Sequence, residues 1–312
     1  MGFGCYHMKK GRGLPFAQVD AFTDVRFGGN PAAVVLSADN LTDEMIQKLS
    51  RELGVGQTVF VSESNLADHR LRFMTPGGEM SFSGHLTIAA FHSMVEEGII
   101  DVVGDVTTVT VETKAGVLPV EIVKNETTGM HEIQITHRNP EFMATYDPRK
   151  YAEALGLSLA DIMSSCPVQT VSTGTPQLMV PVTTLSALQR INPDWDRLVE
   201  LGKNVDYVSI QVFTRQVLEV TSDVHVRHFA PSLGINEDAV TGSAAGSMGC
   251  YIIKYGLMSP TIPVTSIVVE QGHSMGRPGK IFVEVRGDAR EIEQVKVSGT
   301  AVTVLRGTLY AR

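Results

Sequence analysis

The chain has 312 residues, 43% of them hydrophobic and 19% charged, with 26 Lys and Arg against 34 Asp and Glu. That is apolar material for about two domains, and it excludes a disordered chain. The formal charge of −8 gives no basic footprint for a nucleic-acid partner, and the longest apolar stretches, around Leu86–Val95 and Ala244–Ile253, are too short to span a bilayer.

Positions 1–13 read as a Gly-rich leader carrying Lys9, Lys10 and Arg12 with no apolar run behind them, which is not a secretory signal. Cys5, Cys166 and Cys250 are scattered, with no C-x-x-C pair. That fits neither a disulfide framework nor a zinc site, and points to a reduced, cytoplasmic compartment. Phe16–Phe22 reads as a strand, Phe27-Gly28-Gly29-Asn30-Pro31 as a turn, and Ala32–Leu36 as a second strand. Thr42 is the expected N-cap of a helix over Asp43–Leu53, whose Met45, Ile46, Leu49 and Leu53 fall at helical spacing. Strands are predicted over Val55–Val61 and Arg70–Met74. Further on they are predicted over Val106–Glu112, Val117–Val123, Glu132–Ile135, Val208–Phe213, Glu219–Val220, Ser266–Glu270, Lys280–Val285 and Val295–Leu305.

Two segments, Gly84–Glu97 and Gly242–Tyr255, are small or apolar on nearly every side, the pattern of buried helices. They share a register. Glu79 precedes Ser83-Gly84-His85 by four residues, and Glu237 precedes Thr241-Gly242-Ser243 by four. A stop glycine follows fifteen residues after each hydroxyl, at Gly98 and Gly256, and Phe73-Met74-Thr75-Pro76 is echoed by Phe229-Ala230-Pro231. The second copy lies 158 positions after the first, from Ser83 to Thr241. The pattern reads as an internal duplication giving two facing lobes, each with one central helix. Provisional boundaries are 14–125 and 126–312, with the last strand free to return to the first lobe.

A helix start offers unpaired N–H groups and a partial positive charge. Two such starts facing one cleft would hold a carboxylate, with donors aimed at any enolate-like anion formed beside it. A cofactor-free isomerase or epimerase fits that description. Structural readings of the same residues stay open. His85 would equally cap its helix, Asp238 would favour a helix dipole regardless of chemistry, Ser83 and Thr241 would serve as N-caps, and Glu79 and Glu237 as loop braces.

Asp20-Ala21-Phe22-Thr23, Gly29-Asn30-Pro31-Ala32-Ala33-Val34, Gly84-His85 and Glu237-Asp238-Ala239-Val240-Thr241-Gly242-Ser243-Ala244 together resemble the phenazine-biosynthesis PhzF-like family. Phe73-Met74-Thr75-Pro76, Glu270-Gln271-Gly272, Gly276-Arg277-Pro278 and Gly307-Thr308-Leu309 add to the resemblance. It implies an α+β fold like that of diaminopimelate epimerase, in which two pseudo-symmetric lobes each wrap a β-barrel-like sheet around a central buried helix. It also implies a cytosolic homodimer with no metal and no organic cofactor, acting on a small carboxylate metabolite by moving a proton. By position, His85 and Asp238 would bind or relay protons, and Gly84, Gly242 and Ser243 would hold the substrate carboxylate, with Ser83 and Thr241 beside the helix starts as further candidate substrate contacts.

One departure bears on mechanism. The family's proton-carrying Glu follows a Ser, whereas this chain has Gly56-Gln57 before Thr58-Val59-Phe60-Val61. The Gln57 carboxamide hydrogen-bonds but does not titrate near neutral pH. Related epimerases carry two cysteines at the helix starts, where this chain has Ser83 and Thr241, so thiol-based racemisation is not expected. The expectation is a PhzF-type isomerase acting next to a carboxylate. The rivals are a catalytically silent binding protein on the same scaffold and a β-eliminating lyase.

Overall fold

The computed structural model describes residues 13–125 and 129–311; Cys5 and nearly all of the leader lie outside the described residues. Six α-helices are present among them: α1 (Asp43–Glu52), α2 (Gly84–Glu96), α3 (Pro148–Ala154), α4 (Leu185–Gln189), α5 (Trp195–Leu201) and α6 (Gly242–Lys254). None is long and apolar enough to cross a membrane.

The strand pairings repeat. In the first half, Leu14–Ala21 lies antiparallel to Asn30–Val35, which runs parallel to Thr58–Ser62. Thr58–Ser62 is antiparallel to His69–Thr75, which forms a hairpin with Gly78–Met80 and runs parallel to Val106–Thr113. The second half follows the same order. Val168–Ser172 is antiparallel to Pro176–Pro181, which runs parallel to Ser209–Thr214, and this is antiparallel to Val224–Ala230. Val224–Ala230 forms a hairpin with Ile235–Asp238 and runs parallel to Val264–Gln271. The duplicated register in the sequence is therefore a duplicated topology, with α2 and α6 in the same place in each copy.

The halves exchange strands. His131–His137 pairs with Gly116–Lys124 on one side and with Ile292–Gly299 on the other. The strand that follows it, Glu141–Tyr146, joins Val168–Ser172. Likewise Ala301–Leu309, which follows Ile292–Gly299, returns to pair with Leu14–Ala21. The single run expected over Val295–Leu305 is thus two strands, broken at Thr300, whose carbonyl accepts the Phe22 N–H at 2.7 Å. Gly299 is required there, because a Cβ would sit 2.4 Å from the Phe22 ring.

One apolar core runs through both halves and holds both central helices. In α2, Leu86, Ile88, Phe91 and Met94 are fully buried, each contributing on the order of 1.5–3 kcal/mol. In α6 every residue from Ala244 to Ile253 is buried, and Gly246 leaves room for the His137 ring, which a Cβ would meet at 2.6 Å. The outer faces are covered unequally. α1, capped by the Thr42 hydroxyl as expected, covers Val35, Phe60 and Met74. A larger cluster built on Tyr151, Leu198 and Phe229 lies under α3–α5.

Two smaller expectations fail. The strand predicted over Val55–Val61 begins at Thr58, because Gly54 and Gly56 adopt φ of +64° and +83°, outside the extended region. Glu219–Val220 lies in a turn ahead of Val224–Ala230. There the backbone N–H of Glu219 donates to the buried Glu270 carboxylate, so a side chain supplies the partner that a ladder would have supplied.

Candidate active site at the junction of the two helix starts

Both central helices begin without a side-chain cap or an acid in the first turn. The Ser83 hydroxyl turns instead to His85 Nδ1, 3.3 Å away, and the Thr241 hydroxyl donates to Asp238 Oδ2 at 2.5 Å. The N-cap reading of these two side chains therefore fails, and the first-turn N–H groups and helix dipoles stay available to an anion. The two starts differ in access. No neighbouring atom lies within 4 Å of a Cβ placed on Gly84, whereas at Gly242 that position is 2.8 Å from the Phe22 ring.

His85 is 8% exposed, and its Nε2 is buried with no hydrogen-bond partner. Burial holds this imidazole below its ordinary pKa against the pull of the Asp238 carboxylate. The structure thus brings His85 and Asp238, which are 153 positions apart in the chain, within electrostatic range of each other. Asp238 is held from three sides. Asn30 reaches over from the other half, its Nδ2 donating to Asp238 Oδ1 at 2.9 Å and to the Val240 carbonyl at 2.8 Å. Gln271, fully buried, donates to the Asp238 carbonyl at 2.9 Å and accepts from the Thr241 N–H at 3.1 Å.

Gln57 stands just ahead of strand Thr58–Ser62, half-buried, with its carbonyl accepting from the Ala33 N–H. No hydrogen bond joins its carboxamide to His85 or Asp238. Ser243, in the first turn of α6, accepts from Gln177 Nε2 at 3.5 Å. Glu79 and Glu237 brace their hairpins by forked ion pairs with Arg72 and Arg227, another trace of the duplication.

Sequence reasoning passed over Asn30 and Gln271 as site residues, and it passed over a row of buried polar side chains on the inner face of the second sheet. Gln177, Ser209, Gln211 and His228 are at most 4% exposed. They stand at one end of strands whose other inward residues, Met179, Phe213, Val224 and Val226, are apolar core. The Ser209 hydroxyl donates to Gln177 Oε1, and His228 Nδ1 lies 2.7 Å from Gln211 Oε1. The readable signal was a polar residue where the period-2 alternation calls for an apolar one.

Two other places draw attention and lie apart from this junction. A recess of about 580 Å³, lined by Phe22, Asp24, Phe27, Glu132, Glu219 and Lys280 among others, includes neither His85 nor Asp238. Glu219, Glu270 and His273 come close enough together to share an ion. Glu270, however, already accepts from two backbone N–H groups and sits 2.6 Å from His225 Nδ1, and Glu219 is paired with Lys280. That donor set serves the protein's own network better than a metal.

The phenazine biosynthesis-like protein family (PhzC-PhzF) matches residues 19–307. The chain is 36% identical over 299 residues to an uncharacterized isomerase of Clostridium acetobutylicum, covering 94% of this chain and 96% of that protein. It is 28% identical over 292 residues to trans-2,3-dihydro-3-hydroxyanthranilate isomerase of Pseudomonas fluorescens, covering 93% and 97%. The crystal structure of a Bacillus anthracis PhzF-family phenazine biosynthesis protein superposes with a TM-score of 0.88 at 33% identity, covering 96% of this chain and all of that one. The fold, the helix-start junction and these matches over nearly the whole length agree, and the chain belongs to the phenazine biosynthesis-like (PhzC-PhzF) family.

Proposed function

We propose that this protein is a cofactor-independent isomerase that moves a proton next to the carboxylate of a small metabolite. The observation that carries the reading is the unpartnered Nε2 of buried His85 at the uncapped start of α2, within the field of Asp238. A carboxylate at Gly84 and at Gly242-Ser243 would take up the free N–H groups. His85 would then donate to, or accept from, the reacting system, and Asp238 would orient it. The isomerase names carried by the Clostridium and Pseudomonas relatives support the reaction class.

Gln57 occupies the position of the family's acid, which redirects or weakens catalysis on the Pseudomonas enzyme's substrate. A positioned acid or base supplies about 10²–10⁴-fold in rate. The test is solvent deuterium entering trans-2,3-dihydro-3-hydroxyanthranilate in the presence of the natural chain, Gln57→Glu and Asp238→Asn. Weak exchange in the natural chain that rises in Gln57→Glu supports the reading. Rapid natural exchange that survives Gln57→Ala overturns the account of this position, and release of water from the substrate would establish the lyase instead. A homodimer in the cytoplasm is part of the same proposal, checked by light scattering and cell fractionation.

A further inference from the structure

We propose that His228 is the group that takes up and returns the proton in this site, with Gln211 fixing which of its ring nitrogens does so. The inference rests on the proton-transfer reading above and supplies what Gln57 cannot. Three geometric observations lead to it. His228 and Asp238 are direct cross-strand partners, so their side chains leave the same face of the sheet about 5 Å apart at Cβ. That face is the inner one, shared with Val224 and Val226 and turned toward α6. Finally, His228 Nδ1 is 2.7 Å from Gln211 Oε1. An amide oxygen only accepts, so Nδ1 carries the proton and Nε2 presents a lone pair. The opposite edge of the Gln211 amide points at Met248 Sδ, 3.9 Å away, which leaves the oxygen facing the ring.

The one hydrogen bond of the His228 ring to a described residue is at Nδ1, so Nε2 is left without one. A buried imidazole whose inner nitrogen is locked and whose outer nitrogen is bare is arranged as a base. Burial keeps it neutral, with a pKa pushed down to about 4 although Asp238 and Glu237 pull the other way. In the reaction, a substrate C–H bond breaks and an N–H bond forms at Nε2. The electron pair left behind enters the π system conjugated with the carboxylate. The imidazolium then gives the proton to a different carbon and returns to its neutral Nδ1–H form. No oxidant or reductant enters, and Asp238 beside the ring stabilises the transient imidazolium.

The experiment uses ¹⁵N-histidine-labelled full-length protein. Imidazole spectra are recorded at pH 7 with and without 3-hydroxyanthranilate, an aromatic carboxylate that cannot isomerise, and His228→Gln and His85→Gln assign the signals. The expected result is a neutral Nδ1–H tautomer at His228, whose Nε2 resonance moves on addition of the probe. Gln211→Leu should release the tautomer preference, and His228→Gln should abolish the deuterium exchange that the natural chain retains while the protein stays folded. A neutral Nε2–H tautomer at His228 overturns the proposal. So does a probe that shifts His85 and leaves His228 unmoved, which would leave the isomerase reading standing. A probe that moves neither histidine removes the carboxylate site itself, and the role of His228 falls with it.

Discussion

Asn30→Ala tests the junction most directly, because one amide group joins the two halves at the centre of the candidate site. Asn30 is 7% exposed, and its Nδ2 makes two bonds, to Asp238 Oδ1 at 2.9 Å and to the Val240 carbonyl at 2.8 Å. A hydrogen bond to a charged acceptor contributes about 1.5–3 kcal/mol, and the half-buried position of Asp238 places this one at the low end. The Val240 carbonyl has no other donor among the described residues and lies in a buried stretch, so losing its partner adds roughly 1–2 kcal/mol of uncompensated burial. Together the substitution should cost about 3 kcal/mol, measured as a lower urea midpoint at unchanged m-value. A double-mutant cycle with Asp238→Ala isolates the first share and should return a coupling of about 1.5 kcal/mol. Deuterium exchange should fall as well, because Asp238 loses the contact that fixes one of its oxygens. A total loss below about 0.5 kcal/mol, or a coupling near zero, would refute the reasoning and leave Thr241 and Gln271 as the groups that fix Asp238.

Much of this fold was legible because the chain states it twice. The Glu79 and Glu237 registers, the hydroxyl-Gly starts at 83 and 241 and the stop glycines mark equivalent helices, and the pairings around them repeat strand for strand. The helices α3–α5 escaped notice because they are five to seven residues long, too short for a hydrophobic period to declare itself. Strand exchange was anticipated only as a return of the last strand to the first lobe, without its register or partner. Pairing between Ala301–Leu309 and Leu14–Ala21 is a long-range choice, and neither segment's composition names its partner. At the site, His85 and Asp238 were readable from the helix starts they precede or open. Asn30 was read as part of a turn and of a family motif but not as a site residue, because its partners lie more than 200 positions away. His228 breaks the alternation set by Val224 and Val226, but a single polar residue next to Arg227 near the end of Val224–Ala230 looks like the ordinary close of a strand.

Gly84→Ala should leave stability nearly unchanged, since a Cβ there meets no neighbour, yet weaken carboxylate binding if the proposed anion site is at this helix start. Calorimetry with 3-hydroxyanthranilate checks this, and full affinity in the variant would locate the anion elsewhere. Gly242→Ala should do the reverse and destabilise by about 1–3 kcal/mol, because its Cβ would stand 2.8 Å from the Phe22 ring at the packed junction. A variant as stable as the natural chain in urea would refute that. The last expectation concerns acid. His228 titrates near 6.5 in an unfolded chain and at about 4 in the folded one. Between those values the unfolded state binds more protons, so stability is full above about pH 6.5 and declines as the pH falls toward 4. A shift of that size amounts to roughly 3 kcal/mol at the acid end, at about 1.4 kcal/mol per pH unit, and His85 moves in the same direction. His228→Gln removes this share, so its stability curve from pH 6.5 to 4 should be flatter than that of the natural chain by about that amount. Parallel curves would mean that folding leaves the His228 titration unshifted, and the dry, buried setting argued for this ring would be wrong.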